Sequence, residues 1–214
     1  MLDATQRIID AVAHAESGDI GDMQLAEEMN VPGMAGVKSR RFLNRLCCHA
    51  ECKYLEVGTH RGASLFAAAW NNSGHFTGID NFSKFNSVHP EKVLADNIVR
   101  FQQTCNASFV KGDCWSVAPS LECGMVDVFF YDGDHSEQAT GYSLSAFYHA
   151  LAKTSVVIFD DWNLGGVQRG AKAAVDSGAF RVIHRWEEFT KANGDKEGWW
   201  NGIGVFALEK TERS

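Results

Sequence analysis

The chain has 214 residues, 45% apolar and 22% charged, the balance of an ordinary soluble globular protein and a length that one hydrophobic core can serve. A formal net charge of −7 with no basic stripe excludes a binder that neutralises nucleic-acid phosphates. Six cysteines (Cys47, Cys48, Cys52, Cys105, Cys114, Cys123) form no C-x-x-C pair, and no secretory or membrane-spanning run is visible, so free thiols, a cytoplasmic location and no membrane partner are expected.

In chain order, residues 4–15 repeat apolar positions at helical spacing and end at Gly18 and Gly21. Met23 to Met29 reads as a second short helix, residues 31–36 as a turn, and Lys38 to Ala50 as a third helix. Because these pieces precede every strand, residues 1–50 are expected to form a helical cap or edge element. They serve equally well as a surface for a homo-oligomer.

From Lys53 the texture becomes alternating strand and helix. Strands are predicted at Tyr54–Val57, Phe76–Asp80, Ser108–Lys111, Val126–Tyr131, Ser155–Phe159, Phe180–Arg185 and Gly202–Leu208. Helices are predicted at Ala63–Trp70, Glu91–Thr104, Ser136–Leu151 and Gly166–Ser177. Apolar runs such as Ser155–Phe159 suit strands buried on both faces of a parallel sheet. The fold class is therefore α/β, a doubly wound, mostly parallel seven-stranded sheet over residues 51–214. Only a polar loop (191–198) separates the last two strands, so these are expected to pair antiparallel, with the last strand the antiparallel one.

Acids mark the strand ends. Asp80, Asp113, Asp132 and the pair Asp160 and Asp161 each end or follow a predicted strand. Parallel strands end on one side of a sheet, where ligands bind. Any one of these acids is an ordinary turn or helix-cap residue, but four together point to a shared site. The charge agrees: residues 106–163 hold eight acids against Lys111 and Lys153, a net of −6. That is a field suited to a cation or a cationic cofactor, or else a solvated acidic face.

The first strand runs into Glu56-Val57-Gly58-Thr59-His60-Arg61-Gly62-Ala63-Ser64. Glycine there permits a sharp turn and close approach to a ligand, but the G-x-G-x-x-G spacing of a pyrophosphate cradle is missing, which disfavours NAD. Asp80 lies 22 residues past Gly58, where an acid can accept both hydroxyls of a ribose.

Taken together, Glu56-x-Gly58-x-x-x-Gly62, Asp80, Gly112-Asp113 and Asp132 resemble the Rossmann-like S-adenosylmethionine-dependent methyltransferases, from about Tyr54 to Leu208. The resemblance implies S-adenosylmethionine as cofactor, bound by region 51–214 as the catalytic unit. Gly58, Thr59 and Ser64 would line its methionine end, Asp80 would hold the ribose, and Asp113 with Cys114 would border the adenine. Glu56, Gly62 and Asp132 complete the implied cofactor set. Thr59 and Ser64 serve equally as local backbone caps.

Two further segments, Tyr131-Asp132-Gly133-Asp134-His135-Ser136 and Phe159-Asp160-Asp161-Trp162-Asn163, resemble the macrocin-type sugar O-methyltransferases. More distantly they are similar to the catechol- and caffeoyl-type enzymes, in which a lysine usually stands at the place of His135 and Asp-Asn at that of Asp160-Asp161. Asp132, Asp160 and Asp161 offer a hard oxygen site for Mg²⁺ or another divalent ion. His135 is the natural base for an acceptor hydroxyl. The competing account makes Asp161 and Asn163 caps of the next helix, and Asp134 reads as turn chemistry. Trp199 and Trp200 pack the last strands in the favoured reading and face a substrate in the other. His60, His75, His89 and His184 read as structural or exposed.

The expected activity is methyl transfer to a hydroxyl of a small molecule, a sugar being one candidate, with Mg²⁺ assistance. A metal-independent methyltransferase with another acceptor and a non-catalytic cofactor-binding protein stand as alternatives.

Overall fold

A computed structural model of the chain describes residues 3–17, 31–84 and 89–211. The helix expected over Met23 to Met29 lies outside them.

Seven strands make one sheet: β1 (Cys52–Val57), β2 (Gly74–Asp80), β3 (Ala107–Lys111), β4 (Val126–Tyr131), β5 (Leu151–Asp160), β6 (Phe180–Glu188) and β7 (Ile203–Lys210), in the order β3-β2-β1-β4-β5-β7-β6. The first five run parallel. β7 lies antiparallel to both β5 and β6. This is the doubly wound architecture expected, with its antiparallel last strand. The chain winds outward from β1 to β3 and returns to β4, so the strand order reverses between β1 and β4. Connections there leave in opposite directions, which opens a crevice at the carboxyl ends.

Alternation along the strands builds two cores. Tyr54, Phe76, Val128, Phe130, Val156, Ile158 and Val205 face one side, and Leu55, Val57, Phe129, Tyr131, Val157, Phe159 and Phe206 the other. Helices α1 (Ala4–Ser17), α2 (Val37–Leu46), α3 (Ala63–Ala69) and α4 (Pro90–Phe101) cover the first. The short α5 (Cys114–Val117), α6 (Glu137–Phe147) and α7 (Gly165–Val175) cover the second. Phe129 is fully buried and packs on Phe147 with ring centroids 4.9 Å apart. Losing such a ring costs about 3–5 kcal/mol in a close-packed core.

Helices α1 and α2 pack into this core. Ile8, Ala11, Phe42 and Leu43 are buried in one cluster with Trp199, Val205 and Ala207. Glu16 accepts a hydrogen bond from Trp199 Nε1 at 3.0 Å and pairs with Lys38. Residues 36–38 then lie on the loop before β7, with Val37 N donating to Lys196 O and Lys38 N to Gly198 O. Among the described residues, no helix is long and apolar enough to cross a membrane.

Element ends differ from expectation where turn chemistry outweighs apolar period. α2 stops at Leu46 instead of Ala50, because Cys48 and His49 turn back onto Arg45 and Cys47 carbonyls and Glu51 takes φ 57°. α6 stops at Phe147, and Leu151, expected to end it, begins β5 opposite Val126. Between β3 and β4 lie α5 and a 3₁₀ turn (Ala118–Ser120) that the apolar pattern does not show.

Candidate active site

The carboxyl ends of the strands surround a cavity of about 520 Å³, and Asp80, Asp113, Asp132, Asp160 and Asp161 all line it. The four strand ends singled out in the sequence do meet.

At the β1 end the loop is shaped by glycine. Gly58 has φ 91°, and a β-carbon there would fall 1.9 Å from the Asp132 carbonyl oxygen, so only glycine lets this loop lie against the end of β4. Gly62, at φ 89°, precedes α3, and a β-carbon there would meet Phe66 and Leu94. Its role is packing, and it does not line the cavity. Glu56 does not line it either: it is fully buried, and Tyr54 Oη donates to its Oε2 at 2.6 Å. Burial pushes this carboxyl up to about 7, against the pull of the Tyr54, Ser64 and Thr59 hydroxyls. Thr59 and Ser64 are buried in the cavity wall.

Asp80 and Asp113 each gather backbone N–H groups. Asp80 Oδ2 accepts from His60 N and Oδ1 from Phe82 N, both at 2.7 Å. Asp113 is the N-cap of α5, its Oδ1 accepting from Trp115 N at 3.0 Å and Ser116 N at 3.1 Å. The cap role open to any strand-end acid is thus filled at Asp113. Cys114, beside it in the wall, is pushed up to about 11, chiefly by burial, and stays a neutral thiol.

The β4 and β5 ends look different. Burial, followed by the charges of Glu56 and Asp161, pushes Asp132 well above the usual carboxylate range. Burial and then the charges of Asp132 and Asp161 do the same to Asp160, whose exposure is 7%. His135 Nε2 lies 3.2 Å from Asp132 Oδ1, and its Nδ1 lies 3.4 Å from Asp161 Oδ2. Ligand atoms of Asp132, His135 and Asp160 come within 4.8 Å of one another. Two carboxylates and an imidazole so placed fit a divalent cation, which would relieve the repulsion between the crowded acids.

That donor group differs from the expected set of Asp132, Asp160 and Asp161. Asp161, at φ 54°, accepts from Asn201 Nδ2 at 2.6 Å through Oδ1. Nor does it cap the next helix with its side chain: the N-cap of α7 is Leu164, and Asn163 Nδ2 donates to Thr190 O at 3.1 Å. Asp134 has the turn role expected, its Oδ1 accepting from Ser136 N at 3.0 Å.

The two tryptophans divide the readings between them. Trp199 is buried against Phe42 and Trp186, whereas Trp200, at φ 60°, lines the cavity. His60, read as structural or exposed, lines the cavity too, at φ 51°. Sequence reasoning missed Met34, Phe82 and Asn201 in the wall. The turn signal at residues 31–36 marked Met34 as loop but not as wall, and nothing local flags Asn201.

Comparison with known proteins agrees with this architecture. A family model described as a methyltransferase domain matches residues 55–162, half of the chain. The solved structure of cofactor-bound Rv0187 from MTB superposes with a TM-score of 0.65 at 16% identity, over 98% of this chain and 100% of that one. The O-methyltransferase TomG from Streptomyces achromogenes, involved in tomaymycin synthesis and solved with SAM, gives 0.64 at 16% identity over 99% and 100%. The O-methyltransferase from Bacillus cereus, in complex with SAH, gives 0.62 at 16% identity over 94% and 97%. At such identity these likenesses speak for the fold. No curated protein matches the chain.

Proposed function

Because the chain belongs to the methyltransferase-domain family, we propose that it moves a methyl group from S-adenosylmethionine to a hydroxyl of a small molecule, with a divalent ion and His135 assisting. The observation that carries this reading is the meeting of Gly58, Asp80 and the Asp132–His135–Asp160 group in one cavity. Its volume, about 520 Å³, is in the range of small-molecule sites.

When bound, the cofactor supplies an electrophilic methyl group and the ion, Mg²⁺ being the hard candidate, makes an alcohol more acidic. The chain's residues do the rest. Asp80 is fixed by two backbone N–H groups, and a carboxylate keeps further lone pairs for a pair of ribose hydroxyls. Gly58, Thr59 and Ser64 line the methionine end, and Asp113 and Cys114 the adenine end. Glu56 and Gly62 act from behind that wall by holding the loop. Asp132 and Asp160 would hold the cation in this reading, with His135 beside it as the base that accepts the acceptor's proton instead of as a third ligand. Holding the reacting atoms in line supplies much of the rate. The acidic rim repels a phosphate backbone, which favours a small hydroxylated acceptor such as a sugar.

A metal-independent transfer is the second reading. Its support is that the His135 ring lies between two carboxylates, with Nε2 3.2 Å from Asp132 Oδ1 and Nδ1 3.4 Å from Asp161 Oδ2.

Calorimetry with S-adenosylhomocysteine and NAD, followed by a methyl-transfer screen of hydroxylated metabolites with and without Mg²⁺, tests both. Tight NAD binding with no response to S-adenosylhomocysteine overturns the proposal. Full turnover after chelation leaves only the metal-independent form.

A further inference from the structure

We propose that Trp200 is the platform on which the methyl acceptor lies, and that the acceptor hydroxyl is therefore carried on a ring. This rests on the reading of the cavity as a methyl-transfer site.

The chain has six tryptophans. Trp70 packs on Phe101, Trp115 on Tyr131, Trp162 on Phe206 and Trp186 on Trp199, with ring centroids between 5.0 and 6.2 Å apart. Trp200 is different. Among the described residues its indole meets no other aromatic ring and makes no hydrogen bond, although it lines the cavity. Its backbone, by contrast, is fixed. Trp200 N donates to Asp195 O at 3.0 Å, and Trp200 O accepts from Asp195 N at 3.1 Å and from Thr190 Oγ1 at 3.3 Å. These bonds hold a bulky residue at φ 60°, a conformation that large side chains avoid and that persists at ligand sites when the surroundings impose it.

The position suits the acceptor. The next residue, Asn201, donates to Asp161 Oδ1 at 2.6 Å, so Trp200 stands at the β5 and β7 side of the cavity, away from Asp80 and Asp113 at the β2 and β3 side. Met34, 46% exposed, adds a second apolar side chain to the wall. Its loop is tied to the loop that carries Trp200: Val37 N donates to Lys196 O, and a β-carbon on Gly36 would fall 2.1 Å from Gly198 O. A rigidly held indole face with no ring against it is matched by a flat partner, either an aromatic ring or the C–H face of a sugar.

The two ring types are separated by ¹⁹F spectra of protein carrying 5-fluorotryptophan, in which Trp200→Phe identifies the Trp200 resonance. With S-adenosylhomocysteine and Mg²⁺ present, phenol or methyl β-glucoside should shift that resonance saturably, and glycerol, an acyclic polyol, should not. Trp200→Asn removes the indole but tolerates the left-handed backbone. It should weaken binding of the effective ring compound, read from that compound's own proton signals, by about tenfold. Trp200→Phe, which keeps a ring face, should retain most of the affinity. Calorimetry should find S-adenosylhomocysteine affinity within about twofold of wild type in both variants, which also shows that they fold. With an acceptor in hand, Trp200→Asn should raise its KM by about tenfold and change kcat less, the signature of lost uniform binding. A Trp200 resonance that neither ring compound moves, or that glycerol moves equally, overturns the inference. So does wild-type affinity for the ring compound in Trp200→Asn. If wild type binds no S-adenosylhomocysteine, the methyl-transfer reading fails, and the same titrations without it still decide whether Trp200 receives a ring.

Discussion

The two ends of the cavity use the same residue type at the same structural position to opposite effect. At the β2 and β3 ends, Asp80 and Asp113 each accept two backbone N–H groups, Asp80 from His60 in the loop after β1 and from Phe82 just past its own strand, Asp113 from Trp115 and Ser116. At the β4 and β5 ends, Asp132 and Asp160 face each other and an imidazole, and both carboxyls are driven well above their ordinary range, first by burial. An aspartate at a strand end is therefore a structural acceptor when its loop turns amides toward it. It becomes an available ligand when its neighbours are other acids. The first end is matched with donors before anything binds, and the second is where the proposed cation would sit.

If this division of labour is right, removing His135 should damage chemistry alone. His135→Ala is expected to lower kcat by about 10²–10⁴-fold and to leave S-adenosylhomocysteine affinity unchanged, as steady-state kinetics and calorimetry would show. A variant with wild-type kcat would mean that the β4 and β5 end does not supply the base.

Glu56 lies beneath both ends and gives a pH test. Its carboxyl is raised from 4.5 to about 7 in the fold, by burial first. The folded chain thus keeps a proton that the unfolded chain releases between these values. The stability due to this group is present in full below about pH 4.5 and is lost as pH rises to about 7, by roughly 3 kcal/mol in all. Glu56→Gln should flatten that part of the profile. Urea unfolding at pH 5 and pH 8 measures it as the difference between variant and wild type, since Asp132 and Asp160 shift in the same direction in both proteins. Equal pH dependence in the two would place the Glu56 proton elsewhere.

The donor-matched end should respond most mildly. Asp80→Ala removes the proposed ribose acceptor and is expected to cost about 1–3 kcal/mol of S-adenosylhomocysteine affinity, read by calorimetry, with the Mn²⁺ affinity of the opposite end unchanged. A parallel loss of Mn²⁺ would show that the two ends are not separable.

Convergence of the acids was legible in the sequence because it follows from period and direction: parallel buried strands end on one side, whatever their order. The Gly58 loop was legible for the same reason, lying between a strand and a helix. What was hidden depends on long-range register. Asn201 reaches Asp161, 40 residues away in sequence, through the antiparallel pairing of Asp160 with Ile203, and no local pattern announces where a last strand will insert. The same insertion carries Trp200 into the cavity while its neighbour Trp199 packs on α2. Helix ends were misjudged at Ala50 and Leu151 because apolar residues continued past the turn. Asp113 as the cap of a four-residue helix left no periodic trace.

The place of β7 also bears on how the chain is made. It lies between β5 and β6 yet follows both in sequence. Until residues 203–210 leave the ribosome, one edge of β5, with Val156, Val157 and Ile158 along it, has no partner. An apolar unpaired edge is a template for another chain, so nascent protein stalled short of Ile203 should be more prone to aggregation than chains stopped before β5 begins. Chaperone demand during synthesis should therefore peak between the completion of β5 and the arrival of β7.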